Sequence, residues 1–88
     1  MVYNKVMRYE IEIRKRAEKD LTALLKPDAQ KIADAIFAME KGLMGNIKKL
    51  TNHTPEYRLR VGDWRVLFEV TINKIIIYRI RHRKEAYR

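Results

Sequence analysis

The sequence predicts an α+β fold in which a helical hairpin packs on one face of a small, mainly antiparallel sheet, in the element order β-α-α-β-β-β. Three observations carry this. A segment near the start alternates with period 2, two stretches of period 3.6 follow on either side of Pro27, and the last third alternates again with turn residues at Gly62-Asp63 and near Asn73. With 88 residues there is room for one core, so residues 1–88 read as a single domain in which 1–6 form an N-terminal extension.

Met7-Arg8-Tyr9-Glu10-Ile11-Glu12-Ile13 is the first strand, with Tyr9, Ile11 and Ile13 on one face and Arg8, Glu10 and Glu12 on the other. From about Lys15 the period lengthens. Ala17, Leu21, Leu24 and Leu25 form one helical stripe, which ends near Lys26 because Pro27 forbids continuation. Pro27 suits the first turn of a second helix, and Asp28 favours the positive end of its dipole. Ile32, Ile36, Met39 and Leu43 make the core-facing stripe of that helix, and Gly42 and Gly45 are its stop signals.

Three strands complete the chain, carried by Tyr57, Leu59 and Val61, by Trp64, Val66, Phe68 and Val70, and by Tyr78 and Ile80. A two-residue loop at Gly62-Asp63 sets Arg60 opposite Arg65 and Arg58 opposite Leu67. A three-residue loop Ile72-Asn73-Lys74 sets Phe68 opposite Tyr78, Val66 opposite Ile80 and Arg65 opposite Arg81. A two-residue loop there puts Arg79 against the core unless a bulge intervenes, because a one-residue slip exchanges the faces. On this register Tyr57, Trp64, Phe68 and Tyr78 are core, while Arg58, Arg60, Arg65 and Arg81, with Arg79 and Arg83 in the same stripe, lie on the face away from the helices.

Twenty Lys+Arg against eleven Asp+Glu leave a formal charge of +9, a field that attracts polyanions. Arginines facing one another across strands repel, so they need an external anion or a solvated surface. A phosphodiester satisfies them, since guanidinium forks match its oxygens in pairs. Only Glu69 offsets the cluster visibly.

Other chemistry is largely excluded. Without cysteine there is neither a disulfide framework nor a thiolate metal site, and the expected compartment is a reducing cytoplasm. No apolar run approaches the ~20 residues of a membrane-spanning helix. Serine is absent, and there is no P-loop or HExxH motif. Two isolated histidines, His53 and His82, make no metal site, so no metal and no cofactor are expected. His53 reads as a loop residue. His82 turns away from Arg81 and Arg83 if the strand continues, and reaches them as an acid or base only if the strand bends. Tyr87, near the C-terminus, is either packing or a ring and phenol for a nucleotide.

Two segments resemble the RelE/ParE toxin superfamily: Tyr57-Arg58-Leu59-Arg60-Val61-Gly62-Asp63-Trp64-Arg65-Val66-Leu67-Phe68, and the ending Ile80-Arg81-His82-Arg83-Lys84-Glu85-Ala86-Tyr87-Arg88, which is similar to an H-R-K-x-x-Y tail. Length, basicity and element order agree from about Met7 onward. The resemblance implies the toxin of a type II toxin–antitoxin pair, and in particular a RelE-type mRNA interferase. Such an enzyme cuts messenger RNA in the ribosomal A site by attack of a ribose 2′-OH on the adjacent phosphate.

By the same resemblance Arg65 matches the arginine that binds the scissile phosphate, Arg83 the one near the leaving 5′-oxygen, and Tyr87 the tyrosine that orients the nucleotide. Arg58, Arg60 and Arg81 are substrate-binding groups, and Arg58 and Arg60 fall where the best-known ribosome-dependent members carry lysines. Arginine is a poor proton acceptor, which leaves Tyr87, His82 or a ribosomal group as the base. The implied partners are an acidic antitoxin, messenger RNA and the 30S A site, with operator DNA reached only through the antitoxin complex. The first and last strands are the expected sheet edges for the antitoxin. ParE-like toxins share the fold and poison DNA gyrase without cutting RNA, and they are the alternative, as is a non-enzymatic RNA-binding module.

Overall fold

The chain folds as five strands and two helices in a computed structural model that describes residues 8–86. The elements are β1 (Glu10–Ile13), α1 (Lys15–Thr22), α2 (Lys26–Ala38), a 3-10 turn (Met39–Lys41), β2 (Asn46–Lys49), β3 (Tyr57–Val61), β4 (Trp64–Val70) and β5 (Lys74–His82). The extension expected at 1–6, together with Met7, Tyr87 and Arg88, lies outside the described residues.

The strands form one mixed sheet of order β1-β5-β4-β3-β2. β1 runs parallel to β5 and the other pairs are antiparallel. The helices cover one face, α1 against β5 and α2 against β3. Ala17, Ile32, Ile36 and Met39 meet Leu59, Val66, Phe68, Ile75, Ile77 and Ile80 there in the buried core. Tyr57 stacks on Phe68 with ring centroids 5.5 Å apart.

Several expectations are corrected. β2 is a strand that alternation did not reveal, since Asn46-Ile47-Lys48-Lys49 holds one apolar residue. Short, lysine-bearing strands belong at sheet edges, where they discourage further pairing. The edges are therefore β1 and β2, and the last strand, β5, is interior. α1 stops at Thr22 rather than near Lys26. Leu25 becomes the extended N-cap of α2 and is 76% exposed. α2 tightens into the 3-10 turn after Ala38, and Gly42 at φ 148° ends it. The 3.6 period no longer governs position 43, so Leu43 is exposed instead of core.

The β4–β5 turn is a two-residue tip at Ile72-Asn73, closed by Thr71 N–H donating to the Lys74 carbonyl at 2.8 Å. Val70 faces Ile75 and Phe68 faces Ile77, while Leu67 faces Arg79 and leaves Tyr78 as a bulge. The bulge restores the expected pairs Val66–Ile80 and Arg65–Arg81, so the inner face stays apolar despite the shorter loop. Tyr78 does not join the core as expected. It is half-buried, with the Arg14 guanidinium 5.3 Å from its ring centroid.

Candidate functional site

The register of β2 to β5 lays out two rows on the face opposite the core. Asn46, Arg60, Arg65 and Arg81 are successive partners across the four strands, and Lys48, Arg58, Leu67 and Arg79 are successive partners in the next row. The residues that alternate with them, Leu59, Val66 and Ile80, are buried under the helices. With strands about 4.8 Å apart, three arginine side chains share a row about 10 Å long.

Arg65 is the anchored member, 9% exposed and the one charged residue among the buried set of the described residues. Its Nη1 donates to the Gly62 carbonyl at 2.9 Å and to the Trp64 carbonyl at 3.0 Å. Both acceptors are neutral, so they fix the guanidinium without cancelling its charge. The ion pairs among the described residues involve Arg14, Lys74, Arg79 and Arg83, and none involves Arg58, Arg60, Arg65 or Arg81. Arg58 Nε is buried without a hydrogen-bond partner, a state that costs about 1–3 kcal/mol when nothing fills it.

Two other charges are committed elsewhere. Arg79, expected in the cationic stripe, donates from Nε and Nη2 to the Asp20 carboxylate of α1 at 2.8 and 3.2 Å. The hydrogen bond to Asp20 raises the Arg79 pKa, desolvation opposes it, and the carboxylate's charge adds to the rise. Glu69, expected to offset the arginines, accepts the Glu56 N–H at 3.0 Å.

Arg83 extends the β4–β5 ladder, its N–H donating to the Asp63 carbonyl at 2.8 Å. Its Nε lies 3.8 Å from Asp63 Oδ1, but the side chains are 55% and 66% exposed, and such pairs hold weakly. The Arg83 guanidinium is thus open to an anion beside the Gly62-Asp63 turn.

β5 continues straight through His82, which is the partner of Trp64 and therefore on the helix side. The rings meet edge to face with centroids 5.4 Å apart. His82 Nδ1 accepts the Lys84 N–H at 3.3 Å. Trp64, expected to be core, is half-buried and joins His82, Asp28, Lys31 and Asp63 around a cavity of about 460 Å³. In the β2–β3 loop His53 Nδ1 lies 2.8 Å from the Pro55 carbonyl. Tyr87 lies outside the described residues.

The structure brings together Arg58, Arg60, Arg65 and Arg81, leaves Arg83 beside the Gly62-Asp63 turn, and places His82 on the other face. Lys48 on β2 is the basic residue that sequence reasoning missed, because its strand was not recognised. Among the described residues no group of three His, Asp or Glu side chains is close enough to share a metal ion. No helix among them is long and apolar enough to cross a membrane.

A family model described as ParE toxin of type II toxin-antitoxin system, parDE, matches residues 11–87. The chain is 32% identical over 88 residues to a protein named RelE1 from Methanocaldococcus jannaschii, across 93% of this chain and 98% of that protein. Over 42 residues, 48% of each chain, it is 43% identical to Toxin RelE3 of the same organism. Among solved structures, the RelB-RelE antitoxin-toxin complex from Methanococcus jannaschii contains a chain 30% identical with TM-score 0.70, covering 83% of this chain and 91% of that one. In the archaeal RelE-RelB complex from Pyrococcus horikoshii OT3 the values are 27% and 0.74, with 91% and 100% covered. The RelBE2 complex from Mycobacterium tuberculosis matches in fold, with TM-score 0.76, 19% identity and 94% and 100% coverage.

Proposed function

This chain belongs to the RelE/ParE family of type II toxin–antitoxin toxins, and we propose that it is a ribosome-dependent endoribonuclease that cuts messenger RNA in the A site. The observation that carries this reading is the uncompensated row Arg60–Arg65–Arg81, in which Arg65 is buried and held by two carbonyls.

In this reading the ribose 2′-oxygen attacks the adjacent phosphorus and the 5′-oxygen departs, leaving a 2′,3′-cyclic phosphate and a 5′-hydroxyl. Charge accumulates on the phosphate oxygens as the new bond forms. A guanidinium already fixed at that place stabilises the charge without reorganising, which is the most effective form of electrostatic catalysis. Arg65 takes that role, and Arg83 stabilises the leaving oxygen. Arg58, Arg60 and Arg81 hold flanking phosphates, and Tyr87 stacks on or orients the nucleotide. Arginine does not accept a proton at ordinary pH, and His82 faces the helix side. The 2′-OH proton therefore passes to Tyr87 or to a ribosomal group, and a proton from solvent or from a ribosomal group completes the departing 5′-oxygen as a hydroxyl.

The chain's charge of +9 suits an acidic antitoxin, and complexes of that kind are the solved structures it matches. The free strands for such a partner are β1 and β2. Operator DNA is reached through the antitoxin complex, and the toxin works in the cytoplasm, where its substrate is translated.

A test is brief expression in a growing bacterium followed by mapping of messenger 5′ ends, with Arg65→Ala/Arg83→Ala as control. New ends within translated frames, bearing 5′-hydroxyls and seen with the wild type alone, support the ribonuclease. The matched family description, ParE, favours a second reading as a gyrase poison. Intact message with arrested replication selects it. RNA binding with a steep salt dependence and no cyclic phosphate selects a non-enzymatic module.

A further inference from the structure

We infer that Lys48 is a phosphate-binding residue at the outer end of a track that carries single-stranded RNA across the strands of the sheet, from Arg81 and Arg65 over Arg60 and Arg58 to the β2 edge. This rests on the ribonucleic-acid reading of the arginine face and adds to it a direction and a residue.

The direction comes from the register. Arg81, Arg65, Arg60 and Asn46 are partners in one line perpendicular to the strands, and Arg58 and Lys48 are partners in the next. Four strands at about 4.8 Å separation make a track about 14 Å long, enough for several successive phosphates of an extended chain. Along the strands the basic surface is interrupted. Leu67 follows Arg65 by one pleat on the same face of β4 and is buried, and Glu69 follows by another. A polyanion laid along β4 meets an apolar side chain and then a carboxylate, while one laid across the strands meets arginine, arginine, arginine and then the amide of Asn46 or the ammonium of Lys48.

Two further observations select the β2 end. Arg58, the partner of Lys48, takes part in no ion pair among the described residues, so the guanidinium beside Lys48 keeps its full charge. Lys48 is exposed and takes no part in the ion pairs of the described residues. The neighbouring Lys49 is its internal control. It is the partner of Tyr57 on the opposite face, with its ammonium 5.9 Å from the Tyr57 ring centroid.

The experiment measures binding of a 12-nucleotide single-stranded RNA, 2′-O-methylated so that it is not cut, as a function of salt. The wild type is compared with Lys48→Ala, Lys49→Ala, Lys48→Arg and Arg65→Ala. Each phosphate contact on a single strand contributes about 0.7 to the slope of log K against log salt. Lys48→Ala is expected to lower the slope by about 0.7 and to weaken binding alike for different sequences, while Lys48→Arg and Lys49→Ala keep the wild-type slope. An unchanged slope in Lys48→Ala, or an equal fall in Lys49→Ala, overturns the assignment of Lys48. If Arg65→Ala lowers the slope and Lys48→Ala does not, the inference alone fails. If neither does, the RNA reading of the face fails with it.

Discussion

Asp20 takes Arg79 out of the cationic face: one carboxylate oxygen accepts Arg79 Nε at 2.8 Å and the Ile80 N–H at 2.9 Å, and the other accepts Arg79 Nη2 at 3.2 Å. β1 pairs with β5 only as far as Ile13 and Ile77, so the Ile80 N–H lies beyond its reach. α1 satisfies that edge with a side chain instead of a strand.

Replacing Asp20 with Ala is expected to cost about 2–3 kcal/mol, since it orphans a backbone donor and a partly buried guanidinium together. The side chains of the pair are only 27% and 18% exposed, which limits screening. Because the Arg79 pKa is raised above its unfolded value by the Asp20 hydrogen bond, its share of the stability is fully present below the unfolded pKa and is lost only as pH rises past the folded one. Urea denaturation at neutral pH measures the loss, and Asp20→Asn, which keeps an acceptor for Ile80, falls between.

Arg65→Lys is expected to fail nearly as badly as Arg65→Ala in messenger cleavage. An ammonium lacks the planar fork that binds Gly62 and Trp64 carbonyls while presenting further donors outward. Losing one preorganised donor to a developing oxyanion costs on the order of 10²–10³ in rate. Mapped 5′ ends give the rate, and circular dichroism checks the fold. Full cleavage by Arg65→Lys refutes the anchored-fork argument.

Arg83→Ala and Tyr87→Phe are each expected to relieve growth arrest on expression while the protein still co-purifies with its antitoxin. The ion pair of Arg83 with Asp63 is too exposed to matter for folding, so stability stays within about 0.5 kcal/mol. If both variants remain fully toxic, the site assignment is wrong.

Phe68→Ala is expected to cost about 3–5 kcal/mol, because the ring is fully buried beneath the helices and stacked on Tyr57. Leu25→Ala, at an N-cap that is 76% exposed, is expected to stay within about 0.5 kcal/mol. The two leave distinct denaturation midpoints, which separate buried from merely apolar positions in the first helical stripe and the sheet.

Local pattern was enough for the α+β class, the division at Pro27, the Gly62-Asp63 turn and the pairing of Arg60 with Arg65. Each follows from forces acting over a few residues: a proline's missing donor, a glycine's positive φ, and the alternation of side chains on a pleated strand. Contacts distant in sequence decided the rest. The bulge at Tyr78 reconciles a two-residue loop with an apolar inner face, Asp20 captures an arginine 59 residues away, and β2 is a strand only because β3 offers it a partner. Four residues with a single apolar side chain carry no periodic signal, and a carboxylate's choice among several arginines depends on which backbone donor lies beside it. Lys48 enters the cationic face by that route, through a pairing that the folded sheet makes and the linear chain does not announce.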